Sequence, residues 1–173
     1  MAENLLIPKL MKHSLSQACS QGLLVANTPP IQLIVHFHNN IIIKTQLTVA
    51  PVFSCLFLGP GAHKVMEEVV FWSSGYAEKK HTSLCSYLAK GLLSPKQREI
   101  LNCIAEIPFG EQCTYAEIAK NTHTHPRAVG SACKHNPFLL FIPCHRVVRT
   151  CGSSSYVAGI SIRNILINFE NAF

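Results

Sequence analysis

Near its C-terminal end the chain reads Pro143-Cys144-His145-Arg146, a thiol directly before an imidazole and a guanidinium. A thiol attacks only as its thiolate, and an adjacent imidazole or positive charge favours that form. With an ordinary pKa near ~8.5, only a minor fraction would ionise unaided at neutral pH. A thiolate is a strong, soft nucleophile, well suited to displacement at carbon. The competing reading is a small buried hydrophobe, which is what most cysteines in a reducing compartment are.

The charge distribution sets this cysteine apart. The chain has a net charge of +6 and contains no aspartate, and no acidic residue lies between Ile118 and Phe169. That stretch carries Lys120, Arg127, Lys134, Arg146, Arg149 and Arg163, together with His123, His125, His135 and His145. An acid-free basic stretch around a candidate nucleophile points to a polyanionic partner, nucleic acid above all. Glu170 is the acid that follows it.

The elements that must position these residues are legible in part. Ser94 is an N-cap, Pro95 fits the first helical position, and Gln97 completes a capping box. Ile100, Leu101, Ile104 and Ile107 then supply a helical apolar stripe. Thr114 with Glu117 makes a second capping box for a short helix. A third helix begins at Pro126 and stops before Asn136-Pro137. The last two form the outline of a helix-turn-helix. Behind Arg127 the third helix offers Ala128, Gly130, Ser131 and Ala132. Such a slim surface suits either tight helix packing or approach to a narrow minor groove, where little sequence is read.

The first half reads as sheet followed by helix. "IQLIVHF" and "IIIKTQLTV" flank "HNN" as a hairpin, "HKVMEEVVFW" fits a helix, and "HTSLCSYLAKG" suggests another closing at Gly91. No catalytic spacing occurs there, so a scaffold role is expected.

Bulk properties bound the remaining classes. A length of 173 residues with 48% apolar content gives one domain or two small ones and excludes a disordered chain. The richest apolar region, 31 to 58, is broken by His36, His38, Asn39, Asn40, Lys44 and Gln46, too often for a bilayer span. The start of the chain lacks the pattern of a secretory leader, so an intracellular protein is expected, cytoplasmic, or nuclear in a eukaryote. No two of the eight cysteines have the two-residue gap of a zinc knuckle or a dithiol motif. Free thiols and no metal are expected, although Cys19, His36, His38, His81 and Cys85 have metal-binding side chains.

The blocks "RAVGSACKHNP", "IPCHRVV" and "SYVAGISIRNILINFE" together resemble the C-terminal domain of the O6-alkylguanine-DNA alkyltransferases, the methylated-DNA–protein-cysteine methyltransferases. The resemblance runs from about Ser94 to Glu170. It implies an α/β protein of two small domains, a ribonuclease-H-like sheet-plus-helix domain over 1–91 and a mainly helical domain over 92–173 with a winged-helix-like helix-turn-helix. The first of these is assigned by position alone.

The implied activity is a single-use transfer. The alkyl group of O6-alkylguanine in double-stranded DNA passes to Cys144, without a cofactor and in a monomer bound at the minor groove. O6-methylguanine is the main lesion and O4-methylthymine a further candidate. The target base must leave the duplex before it can react. By the same resemblance His145 is the base acting through a water, and Glu170 orients it. Tyr115 aids flipping and protonates the leaving guanine, and Asn136 fixes the turn that carries the cysteine. Arg127 fills the space of the flipped base, with Ala128, Gly130, Ser131 and Arg146 at the DNA surface. Pro143, Val148, Tyr156 and Val157 belong to the substrate pocket.

The loop "RTCGSSSYVAG" is one residue shorter than is usual in the family, and the turn "KNTHTHP" about two. Val157 and Ala158 also stand where small or polar residues are common. The alternative carried forward is a non-catalytic module that recognises alkylated DNA and flags it for another pathway. A helix-turn-helix regulator and a thiol hydrolase fit the cysteine motif less well.

Overall fold

The computed structural model describes residues 28–60, 63–80, 84–150 and 155–172, with a mixed α/β architecture. Strands β1 (Ile31–His38) and β2 (Ile41–Val49) form the expected antiparallel hairpin. Asn39 and Asn40 make its turn at φ 45° and 64°, the left-handed region that asparagine tolerates. On β1 the alternation is regular, burying Ile31, Leu33, Val35 and Phe37. A register shift at His36/Phe37 breaks that alternation on β2, which buries Ile42 and then Thr45 and Leu47.

Strand β3 (Ser54–Leu58) runs parallel to β1 on its other edge, giving the order β2-β1-β3. The expected first helix is α1 (His63–Ala77), tied to β3 by a 3.2 Å contact between Cys55 Sγ and Ser73 Oγ. The helix expected to close at Gly91 does not form. Two short 3-10 turns, Cys85–Tyr87 and Lys90–Leu92, stand in that region, with residues 81–83 outside the described ones. The Ala89 amide donates to Ile42 O at 2.9 Å, so the backbone is drawn to the sheet instead of to its own helix.

Helix α2 (Pro95–Ala105) is capped by Ser94 as expected, but Gln97 does not complete the box. Its side chain donates to His135 O at 3.1 Å, linking α2 to the helix that ends there. Helices α3 (Tyr115–Asn121) and α4 (Pro126–Lys134) pack on each other and on α2. The Thr114–Glu117 capping box is reciprocal, and α4 takes His125 as its cap, Nδ1 accepting from the Arg127 amide at 3.2 Å.

Two short strands, β4 (Cys113–Thr114) and β5 (Val147–Val148), pair in parallel. They fasten the start of α3 to the residues that follow the cysteine motif. Helix α5 (Ile160–Asn171) begins after Gly159, whose φ of 96° favours glycine.

The two halves of the chain are locked together close to the motif. Thr45 N donates to Pro137 O at 2.7 Å, and its hydroxyl to Leu139 O at 2.8 Å. The Trp72 ring meets Phe141 edge-on, with centroids 4.8 Å apart. Among the described residues no helix is long and apolar enough to cross a membrane.

Candidate active site

Cys144 opens a 3-10 turn, Cys144–Arg146, and is almost wholly buried. Asn136, at the end of α4, braces that turn from behind. Its amide nitrogen donates to Ile142 O at 3.1 Å and to Cys144 Sγ at 3.2 Å, while its oxygen accepts from Phe138 N at 2.9 Å. The turn it holds is strained, since buried Leu140 sits at φ 73°. Such a conformation costs roughly 1–3 kcal/mol and persists only where the surroundings over-determine it. The Asn136 bonds and the Ile142 N to Phe138 O bond of 2.8 Å supply that constraint.

The next residue, His145, is fully buried, with its Nε2 2.8 Å from Glu170 Oε1. Glu170 comes from the last turn of α5. Its carboxylate also accepts from Arg146 Nε at 2.9 Å on Oε2, and from Arg146 Nη2 and the Tyr76 hydroxyl, each at 2.9 Å, on Oε1. Arg146 Nη1 donates onward to Ile107 O at 2.7 Å. A carboxylate can only accept, so His145 carries its proton on Nε2 and leaves Nδ1 as a lone-pair acceptor. That Nδ1 is buried and has no hydrogen-bond partner in the protein.

Arg146 therefore corrects the sequence-based expectation. Placed at the DNA surface by resemblance, its guanidinium is instead buried and committed to Glu170 and Ile107. A lone buried carboxylate beneath an acid-free stretch needs a permanent positive partner, and Arg146 is that partner.

The electrostatics give each group a protonation state. Burial pushes the Cys144 thiol up to about 11, against the opposing hydrogen bond from Asn136. The resting cysteine is thus a thiol, which needs a base. Burial also lowers His145, outweighing the raising effect of Glu170, with Arg146 and Arg163 lowering it further. Burial alone would raise Glu170, but hydrogen bonds and charge from His145 and Arg146 hold it well below the usual carboxylate range. A neutral imidazole on an ionised carboxylate, next in sequence to a protonated thiol, has the chemistry required of a general base.

Cys144 opens onto a cleft of about 890 Å³. Its walls bring together Tyr115 from α3, Arg127 and Gly130 from α4, and Tyr156 and Val157 from the segment before α5. Of the other residues expected in the substrate pocket, Val148 does not line this cleft and Pro143 faces a separate small cavity beside Tyr76 and Arg146. Ala128 and Ser131, expected at the DNA surface, lie on α4 outside the cleft lining. Tyr115 and Tyr156 are both held as phenols by burial, the latter strongly. A Cβ built on Gly130 would lie 3.9 Å from the Tyr115 ring, an ordinary contact. Protein packing therefore does not require glycine there; its missing side chain widens the cleft.

Sequence reasoning missed several neighbours. Cys133, Lys134 and Arg149 line the cleft, and Tyr76 reaches the site from the half expected to be scaffold. The basic run pointed to Lys134 and Arg149, but nothing in the sequence marks the Tyr76 hydroxyl. Part of the shortened loop, residues 151–154, lies outside the described residues, as do Cys19, His81 and the Cys85 side chain. Among the described residues no three histidine, cysteine or acidic side chains are grouped to hold a metal ion.

Comparison with known proteins agrees with this geometry. Residues 95–172 match the family model described as the 6-O-methylguanine DNA methyltransferase DNA-binding domain. A methylated-DNA–protein-cysteine methyltransferase of Methanocaldococcus jannaschii is 38% identical over 93 residues, 54% of each chain. That of Saccharolobus solfataricus is 40% identical over 76 residues, 44% of this chain and 50% of its own. The chain spans about half the length of the curated relatives it matches.

Among solved structures, Mycobacterium tuberculosis OGT in complex with DNA superposes with a TM-score of 0.63 at 24% identity, covering 82% of this chain and 93% of its own. The O6-methylguanine-DNA methyltransferase of Pyrococcus kodakaraensis strain KOD1 gives 0.55 at 18% identity, over 82% and 99%. At those identities the structural likeness establishes the fold.

Proposed function

We propose, from the premise that residues 95–172 belong to the 6-O-methylguanine DNA methyltransferase DNA-binding domain family, that this chain repairs DNA by moving an alkyl group from O6-alkylguanine to Cys144. The observation that carries the reading is a pair of buried hydrogen bonds on either side of the Cys144-His145 step, Asn136–Cys144 at 3.2 Å and His145–Glu170 at 2.8 Å, with Cys144 lining an open cleft.

The chemistry follows from the protonation states. His145 takes the thiol proton at Nδ1, through a water, and Glu170 stabilises the imidazolium that forms. Cys144 Sγ then attacks the alkyl carbon and a C–S bond forms. The bond from that carbon to guanine O6 breaks, and its electron pair stays with the base. Tyr115, a phenol on the cleft wall, supplies the proton that the departing guanine needs. The product is a stable thioether, and among the described residues no group in the cleft is arranged to hydrolyse it. On this reading each molecule acts once.

The target atom lies inside the duplex, so the nucleotide must be extruded into the cleft. Arg127, exposed on α4, is placed to take the space it leaves, with the slim Gly130 face against the minor groove. Lys134 and Arg149 at the cleft supply charge for the phosphates. The reading takes the chain as a monomer of two domains, 1–91 with a ribonuclease-H-like sheet and 92–173 with a winged-helix-like unit in which β4 and β5 pair. The setting is an intracellular, reducing compartment in which Cys144 remains free.

Cys144→Ala tests the assignment. Transfer from O6-methylguanine duplex should vanish while binding to that duplex survives; retained transfer would move the acceptor elsewhere.

A further inference from the structure

The first half of the chain is not a passive support for this site. Tyr76, on the last turn of α1, is buried at 3% exposure and places its hydroxyl 2.9 Å from Glu170 Oε1. That oxygen is the one on which His145 Nε2 rests at 2.8 Å. The Tyr76 ring cannot swing away. It stacks on Trp72 with centroids 5.2 Å apart and an interplanar angle of 11°, and Phe109 and Phe169 each lie 5.5 Å off. We propose that Tyr76 is a positioning residue for alkyl transfer, through which the N-terminal half sets both the orientation and the basicity of His145.

The physical argument concerns how the charge on Glu170 is shared. Oε1 accepts from three donors, Tyr76, His145 and Arg146 Nη2, whereas Oε2 accepts from Arg146 Nε. Each donor draws electron density from the oxygen and weakens its pull on the others. With the phenol in place, the carboxylate stabilises the imidazolium less, and His145 stays neutral at lower pH. Remove only the hydroxyl, and Glu170 turns more of its charge on His145, which gains basicity and loses one constraint on its partner's position. The groups facing His145 are Glu170, Arg146 and Arg163, together with the Tyr156 ring at 6.1 Å; none of these replaces the missing donor.

This inference rests on the alkyl-acceptor reading for its kinetic arm alone. Tyr76→Phe keeps the ring stack and removes one oxygen. The imidazole of His145 is titrated by NMR in the full chain, and single-turnover methyl transfer is followed across pH for wild type and variant. In Tyr76→Phe the His145 titration and the acidic limb of the transfer rate should both move to higher pH. The plateau rate should fall by about tenfold to a hundredfold, as when the partner that orients a working histidine's carboxylate is lost. Tyr76 replaced by 3-fluorotyrosine, a stronger donor of the same shape, should move both to lower pH. Thr45→Val, which removes the hydroxyl bond to Leu139 O elsewhere between the halves, should lower thermal stability and leave both unmoved.

Tyr76→Phe and 3-fluorotyrosine proteins that titrate and react as wild type would overturn the proposal. A wild type that leaves Cys144 unmethylated would instead sink the alkyl-acceptor reading, and the NMR titration would still decide the role of Tyr76.

Discussion

Asn136 Nδ2 sits 3.2 Å from Cys144 Sγ while the same side chain holds the backbone of the turn at Ile142 and Phe138. One amide thus fixes the position of Cys144 Sγ and favours its thiolate. Asn136→Ala should lose both effects. The Phe138 amide is left unpaired in the core, which costs about 1–3 kcal/mol. Transfer should fall by about 10²-fold, since small misplacements near a reacting atom are costly. Thermal melting and single-turnover kinetics check the two parts separately. Asn136→Asp, which keeps an acceptor for Phe138 but no donor for sulfur, should recover stability more than rate.

Glu170→Gln should be costly in a different way. Arg146 would remain buried with its partner's charge removed, and breaking a buried ion pair typically costs about 3–5 kcal/mol. The expected result is a large fall in melting temperature along with slow transfer. A doubly changed Arg146→Met, Glu170→Gln protein should regain much of the stability and none of the rate.

The pH dependence has a definite sign. His145 is lowered from its ordinary 6.5 and Glu170 is also lowered, so on acidification the unfolded chain takes up protons before the folded one. Stability should therefore fall as pH drops through 6.5 and further through the carboxylate range. Cys144 is raised from 9.0 to about 11, so above pH 9 the unfolded thiol ionises first and stability declines again. On the proposed mechanism transfer needs neutral His145, so its acidic limb should lie below 6.5. Denaturation midpoints and single-turnover rates between pH 5 and 10 test both.

How much of this was legible beforehand depends on the range over which each signal acts. Caps, turns and the cysteine motif are local chemistry, and Ser94, Thr114, the Asn39-Asn40 turn and Cys144-His145 all stand where their types suggested. The failures are long-range. Arg146 looks like a surface cation because the sequence cannot show that Glu170 folds back onto it 24 residues later. Gln97 abandons its capping box for His135, and the stretch before Gly91 gives up a helix because Ile42 offers a carbonyl. Tyr76 carries no local mark at all; it is an aromatic at helical spacing until the tertiary fold aims its hydroxyl.

Arg127 separates lesion recognition from phosphate contact. It is exposed on α4 and lines the cleft. Arg127→Ala should weaken binding to duplex containing O6-methylguanine by about 1–3 kcal/mol more than binding to undamaged duplex. An equal loss on both, with a salt slope reduced by about one, would make it a phosphate contact only. Titrations at two or more salt concentrations on the two duplexes distinguish these.

The central claim is that Cys144 accepts the alkyl group and is consumed. Its most direct test is a mass spectrum of the peptide containing Cys144 after the protein is mixed with duplex DNA bearing O6-methylguanine. The account predicts one methyl per protein, on Cys144, with transfer stopping at equimolar lesion. An unmodified peptide, despite tight binding selective for the lesion, would contradict it and make the protein a damage-recognition module.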